Sequence, residues 1–224
     1  MMLTLVLLLA IQPPPARMYW MWEFPADLRQ RPLQGAGVAF LLATAEQQDQ
    51  RLVWRMRRQP LQLATNTFRM AVIRLTVSPR EGERRIDLRH DRVAIAAQIV
   101  SLAKQSGAPA LQIDADVSPA LVPSYLQLLK ELRQRLPNLF LSVTANTSWC
   151  RPDTWVDRAP VDEVVPMLFV RGSRREAPPP ASLSPRCRPS VGLIPGHAPP
   201  AEWSRQRIYF FVTGLPDFGV VFPK

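Results

Sequence analysis

The chain has 224 residues, 47% of them hydrophobic, and a formal net charge of +10. That length and apolar content exclude global disorder and suffice for one substantial core without staples. The charge rests on 28 basic residues, of which only Lys104, Lys130 and Lys224 are lysines; the arginines are scattered rather than gathered beside aromatics, which argues for a solvated basic surface and against a nucleic-acid groove.

Residues 1–11 form an apolar run of signal-peptide length, too short to span a bilayer comfortably. No Lys or Arg precedes it, and Pro13-Pro14-Pro15-Ala16 is a poor cleavage site. Export or a membrane tether still fits the run better than a buried first strand. Residues 1–16 are therefore set apart as a signal or tether segment, and 17–224 as one barrel domain in an exported, periplasmic or membrane-tethered protein.

Strands follow in order at 18–23, 37–43, 70–77, 110–116, 139–146, 162–169, 189–194 and 207–213, read from apolar alternation and short apolar runs. Helical patterns fall at 46–58, 89–106 and 119–136. Gly107 with Pro109 stops the second of these and Pro137 the third. Segments 147–161, 171–188 and 195–206 are Pro-rich or short and offer at most a helical turn or two. Eight strands with helices between the early ones predict an α/β fold of the (β/α)8 type, with trimmed helices in the second half. An open doubly wound sheet is the alternative, but no Gly-rich dinucleotide fingerprint follows any strand. Cys150 and Cys187 are the only cysteines. They form a pair in an oxidising compartment or are two unrelated thiols, and both readings stay open.

The most informative stretch is Ala110-Leu-Gln-Ile-Asp-Ala-Asp116. Gln112, Asp114 and Asp116 share one face of this strand, while Leu111, Ile113 and Ala115 share the other. Helices on the apolar side leave two carboxylates aimed into a protein interior, where an ionised acid costs several kcal/mol unless paired. Arg74 and Thr76 on one neighbouring strand, and Ser142, Thr144 and Asn146 on the other, share the same inward direction. Arg74 is the natural counter-charge of Asp114. Active sites of such barrels sit at the C-terminal ends of the strands, which picks out Asp116, Asn146, Trp149 and Glu23, then Phe169, Arg171 and Glu46. The structural reading makes Asp114 and Arg74 an ion pair that only props the barrel. Trp20, Trp22, Trp149 and Tyr19 either stack on sugar rings or cap the core. His90 and His197 have no Ser or Cys partner in a recognisable setting, and the chain holds no phosphate-binding, calcium or zinc motif. No cofactor and no metal site are expected.

Gln112-Ile-Asp-Ala-Asp, Tyr125-Leu-Gln-Leu-Leu-Lys-Glu-Leu-Arg, Leu141-Ser-Val-Thr-Ala, Ser148-Trp-Cys and Val161-Asp-Glu-Val-Val-Pro-Met-Leu-Phe together resemble a bacterial family known as domain of unknown function 3142. The resemblance spans roughly residues 18 to 213, and that family has no established activity. More distantly, the arrangement resembles the chitinase-type glycosidase barrels, whose fourth strand reads Asp-x-x-Asp-x-Asp-x-Glu. Asp114 and Asp116 match its inner aspartates, and Met167 with Phe169 loosely matches a later strand. Leu111 stands where the first aspartate is found, and Ser118 where the acid-donating glutamate is found. The resemblance thus implies a polysaccharide or oligosaccharide ligand but not an intact mechanism. A hydrolase reading makes Asp116 the base or stabiliser, Asp114 its partner, Glu23 the acid, and Arg74, Thr144, Asn146, Trp149 and Phe169 substrate contacts. The alternative is a non-catalytic carbohydrate-binding or scaffolding barrel. A nucleic-acid-binding protein rests on charge alone.

Overall fold

The computed structural model of the chain describes residues 11–31, 33–48, 51–76, 88–168, 178–195, 201–212 and 214; the apolar run at 1–10 lies outside them. In chain order the elements are β1 (Arg17–Met21), β2 (Ala26–Asp27), β3 (Gly37–Gln48), β4 (Arg51–Met56), β5 (Leu61–Gln62), β6 (Arg69–Leu75), α1 (Arg92–Ser106), β7 (Ala110–Ala115), α2 (Val122–Arg135), β8 (Phe140–Asn146), β9 (Glu163–Met167), β10 (Ser190–Leu193) and β11 (Arg207–Val212). Eight of these strands run parallel, in the order β1-β11-β10-β9-β8-β7-β6-β3. The ring closes because β1 also pairs with β3: Tyr19 lies opposite Phe210 on one side and Val38 on the other. This is the (β/α)8 barrel expected from the sequence, and the eight predicted strands are its eight staves.

Period-two alternation sorts the apolar residues into two cores. Met18, Trp20, Ala39, Met70, Val72, Ala110, Phe140, Val165 and Tyr209 fill the barrel. Their strand neighbours face outward into a larger core under the helices. Helix α1 buries Ile95, Ala96, Ile99, Leu102 and Ala103 there, and α2 buries Tyr125, Leu128, Leu129 and Leu132, a spacing that keeps one stripe inward. Gly107 ends α1 at φ 59°, with its N–H bonded to the Lys104 carbonyl.

The helix expected at 46–58 is not formed. Strand β3 instead runs on to Gln48 and returns as β4, antiparallel, with Ala45 opposite Trp54 and Gln48 opposite Arg51. Alternation wins over helical propensity here. Leu52 and Trp54, two residues apart, pack together on the outer core, and Glu46 is paired with Arg55 across the hairpin. A parallel two-stranded ribbon of β2 and β5 follows, so no helix separates β3 from β6.

In the second half single 3₁₀ turns replace helices, at Thr147–Cys150, Trp155–Arg158, Pro180–Ser182, Pro185–Cys187 and Ala201–Trp203. Trp155, Leu183 and Trp203 are the buried side chains that do the helices' packing. Cys150 and Cys187 form a disulfide, 5.7 Å between Cα atoms and 37 residues apart in sequence. Of the two open readings of the cysteines, the pair holds. It ties the turns after β8 to those before β10, where β9 and β10 share the single register pair Met167 and Gly192. Closing a loop of that length removes unfolded-state freedom worth about 2–4 kcal/mol. Reduction, or Cys150→Ser, is therefore expected to lower unfolding stability by roughly that amount, read as a shift of the urea midpoint at unchanged slope.

Candidate functional site

The barrel interior is polar at two levels. The lower level is organised by Glu163 at the start of β9, 5% exposed. Ser142 from β8 donates to it at 2.9 Å and Tyr209 from β11 at 2.6 Å, and Ser190 and Arg207 are bonded to its other oxygen. Burial and the facing Glu163 carboxylate push the Tyr209 hydroxyl well above its ordinary value, so it stays a donor. Gln112 extends this network upward: its amide nitrogen donates to Ser142 at 3.0 Å and its oxygen accepts from the Trp20 indole at 2.8 Å. Nothing in the sequence reading singled out Glu163. The available signal was a pair of acids, Asp162 and Glu163, opening an otherwise apolar strand, with Ser, Arg and Tyr on neighbouring strands.

The upper level is the C-terminal mouth. Arg74 and Asp114 stand opposite each other in the β6–β7 register. The guanidinium lies 4.0 Å from one carboxylate oxygen, and Thr144 donates to the other at 2.7 Å. Arg74 also covers the ring of Trp22 at 5.0 Å, which in turn stacks on Trp20 with centroids 5.0 Å apart. Burial pushes the Asp114 carboxyl above the usual range; the Thr144 hydrogen bond and Arg74 oppose that shift, and Asp116 adds to it. Asp116 is exposed, two residues further up, and accepts a long hydrogen bond of 3.4 Å from Asn146.

The structure therefore gathers Arg74, Asp114, Asp116, Thr144 and Asn146. Of the other described candidates, Glu23, Glu46 and Trp149 have partners elsewhere. Glu23 is exposed and accepts from the Arg58 backbone N–H at 2.7 Å, beside Arg57, whose guanidinium donates to the Trp22, Phe24 and Gln59 carbonyls. Glu46 belongs to the β3–β4 hairpin with Arg55. Trp149 packs on the outer core, its ring edge-on to Trp155 at 5.4 Å. Trp155 in turn meets Tyr125 at 5.5 Å. Phe169 and Arg171 lie outside the described residues. Trp22, which the pattern left between stacking and core, is the aromatic that reaches the mouth, with Phe211 tilted against it at 6.4 Å. Ser118 stands at the N-cap position of a 3₁₀ turn just beyond β7, without a side-chain capping bond, and carries a neutral hydroxyl. Among the described residues no group of three or more His, Cys, Asp or Glu is placed to hold a metal ion.

No protein-family model matches the sequence, so the resemblance to domain of unknown function 3142 rests on the motifs quoted above, and no curated protein matches it either. Solved structures do. A family GH18 chitinase from Chromobacterium violaceum superposes with a TM-score of 0.55 at 11% identity, covering 89% of this chain and 79% of that one. A protein of Streptomyces coelicolor assigned as chitinase A gives 0.53 at 12% identity, covering 80% of this chain and 74% of that one. The likeness is one of fold, the (β/α)8 barrel.

The environment of Asp114 fixes a pH dependence. A carboxyl whose folded pKa is raised contributes stability fully below its unfolded value, about 4, and that stability is lost as pH rises through the folded value. Asp114→Asn removes the buried charge. It is expected to raise the melting temperature relative to the native chain at neutral pH, with the difference shrinking as pH falls toward 4. A difference independent of pH in paired thermal scans would refute the assignment.

Proposed function

We propose that the barrel binds a saccharide chain at its C-terminal mouth, through Asp116 and Asn146, with Arg74 and Trp22 as the adjoining wall, and does not cleave it by the usual two-acid route. One observation carries this reading: both mouth aspartates come from one segment, Asp114 on β7 and Asp116 one residue past its end. Same-face positions on a strand are about 6.6 Å apart, which suits hydrolysis in distance but not in placement, because a glycosidase needs its two carboxyls on opposite sides of the scissile bond. Ser118 occupies the position of the acid in the chitinase-type motif, and a hydroxyl is no proton donor at neutral pH. Glu23 and Glu46 are engaged on the β3–β5 side rather than with Asp116. The chitinase-like fold supports a carbohydrate as the ligand, and export fits the disulfide, since such bonds persist in oxidising compartments.

Hydrolysis is the second reading, favoured by the raised proton affinity of Asp114, a carboxyl suited to donate rather than accept. A titration of the protein with chito-oligosaccharides and bacterial envelope glycans, followed in parallel for new reducing ends, separates the two. The binding reading expects saturable affinity without cleavage, weakened about tenfold in Asp116→Asn, in line with loss of a charged hydrogen bond. Reducing ends that disappear in Asp114→Asn establish the hydrolase instead. Absence of binding to every glycan removes carbohydrate from the reading.

A further inference from the structure

The end of the barrel opposite the mouth is where the strands enter, and it carries an excess of positive charge. Arg17, Arg69, Lys104, Arg158, Arg188 and Arg205 stand at or within six residues of the starts of β1, β6, β7, β9, β10 and β11. All but the half-buried Arg17 are exposed. None of the six has an acidic partner among the described residues. Arg17 donates to the Ala16 and Gln206 carbonyls, and Arg188 to those of Leu183 and Ala181, contacts that leave the charge uncompensated. The acids at this end are largely spent: Asp162 on Arg133, Glu163 on Arg207, and Asp157 on the Ser184 hydroxyl. Exposed Glu202 is the remaining counterweight.

We propose that this basic end rests on a membrane surface bearing anionic lipid headgroups. The apolar run of residues 1–11 leads into β1 at this same end. Ile11 is exposed, Pro14 is buried, and the carbonyls of Pro14 and Pro15 both accept from the Arg207 guanidinium at 3.1 Å. Ile11, the last residue of that run, therefore lies within about 20 Å of Arg17, even with the chain between them fully extended. A short apolar segment alone holds a protein to a bilayer weakly, whereas an apolar segment beside a basic patch gives two signals that add. A nucleic acid is the other polyanion this charge fits, but its single strands are gripped by exposed aromatic platforms. Among the described residues the large exposed hydrophobics are Ile11, Met56, Val93 and Ile194, none of them aromatic. Seated in this way, the barrel turns its mouth away from the lipid. The proposal does not depend on what the mouth binds.

The test is flotation of the full 224-residue chain with vesicles of phosphatidylcholine alone or mixed with phosphatidylglycerol, at low and raised salt. The comparison is the quadruple variant Arg69→Gln, Lys104→Gln, Arg158→Gln and Arg205→Gln, all at exposed positions with no described side-chain hydrogen bond, and checked for an unchanged melting temperature. The native chain is expected to prefer the anionic vesicles, less so as salt rises. The variant should lose roughly fivefold in affinity per cation removed, on the order of a hundredfold or more in total, while its weak binding to neutral vesicles is unchanged. Equal binding to both vesicle types, or a variant as tight as the native chain, overturns the proposal. So does retention on DNA that is stronger than on anionic vesicles and is lost in the variant, since it makes the basic end a nucleic-acid surface.

Discussion

A single buried carboxylate holds the staves of this barrel together. Glu163 gathers donors from β8, β10 and β11, and through Ser142 and Gln112 the chain of bonds reaches β7 and the β1 indole of Trp20. It does this beside a seam where, among the described residues, β9 and β10 share one register pair and the Leu168 N–H bonds to the Gly192 carbonyl, while Pro166 has no backbone donor to add. Side-chain bonds across the interior add to the ladder there. A carboxylate in such a place is tolerable because its donors satisfy both oxygens, and any one of them lost would leave charge or lone pair stranded in a low dielectric.

The contrast with Asp114 is instructive. Both acids point inward from parallel strands and both face an arginine. Glu163 is bonded to its arginine and to three hydroxyls, while Asp114 has one hydroxyl and a guanidinium at 4.0 Å that is shared with the face of Trp22. The lower acid is consumed by architecture. The upper one is left under-compensated at the rim, beside an exposed carboxylate, which is the kind of unfinished electrostatics found where a protein meets a ligand.

Much of this was legible from residue order. The eight strands were readable because apolar alternation in a barrel is local, and the inward face of β7 announced itself by putting Gln112, Asp114 and Asp116 at even spacing. The register that joins Asp114 to Arg74 and Thr144 followed once the staves were ordered. What stayed hidden was non-local. Glu163 looks like the second of two acids opening an apolar strand until Ser190, Arg207 and Tyr209 arrive from 27 to 46 residues later. The stretch 46–58 carries helix-favouring residues, and only the cross-strand meeting of Glu46 with Arg55, and Trp54 on the outer core, makes it a hairpin. Trp149 and Trp22 are equally plausible as mouth aromatics in one dimension; the 3₁₀ turn that swings Trp149 toward Trp155 cannot be seen there.

A closed barrel owes part of its solubility to having no sheet edge, and the β3–β4 hairpin gives that advantage back. Among the described residues β4 pairs only with β3, so its outer row of amide and carbonyl groups is open to another extended chain. Leu52, Val53, Trp54 and Met56 would make that edge an adhesive one. The strand is short, Arg55 sits within it, and Arg57 and Arg58 follow directly. Charge on and beside a brief edge discourages pairing between copies, because two such edges meeting would bring like guanidinium groups together. Part of the arginine excess that looks like mere composition thus stands on and beside the one edge that, among the described residues, β4 leaves unpaired.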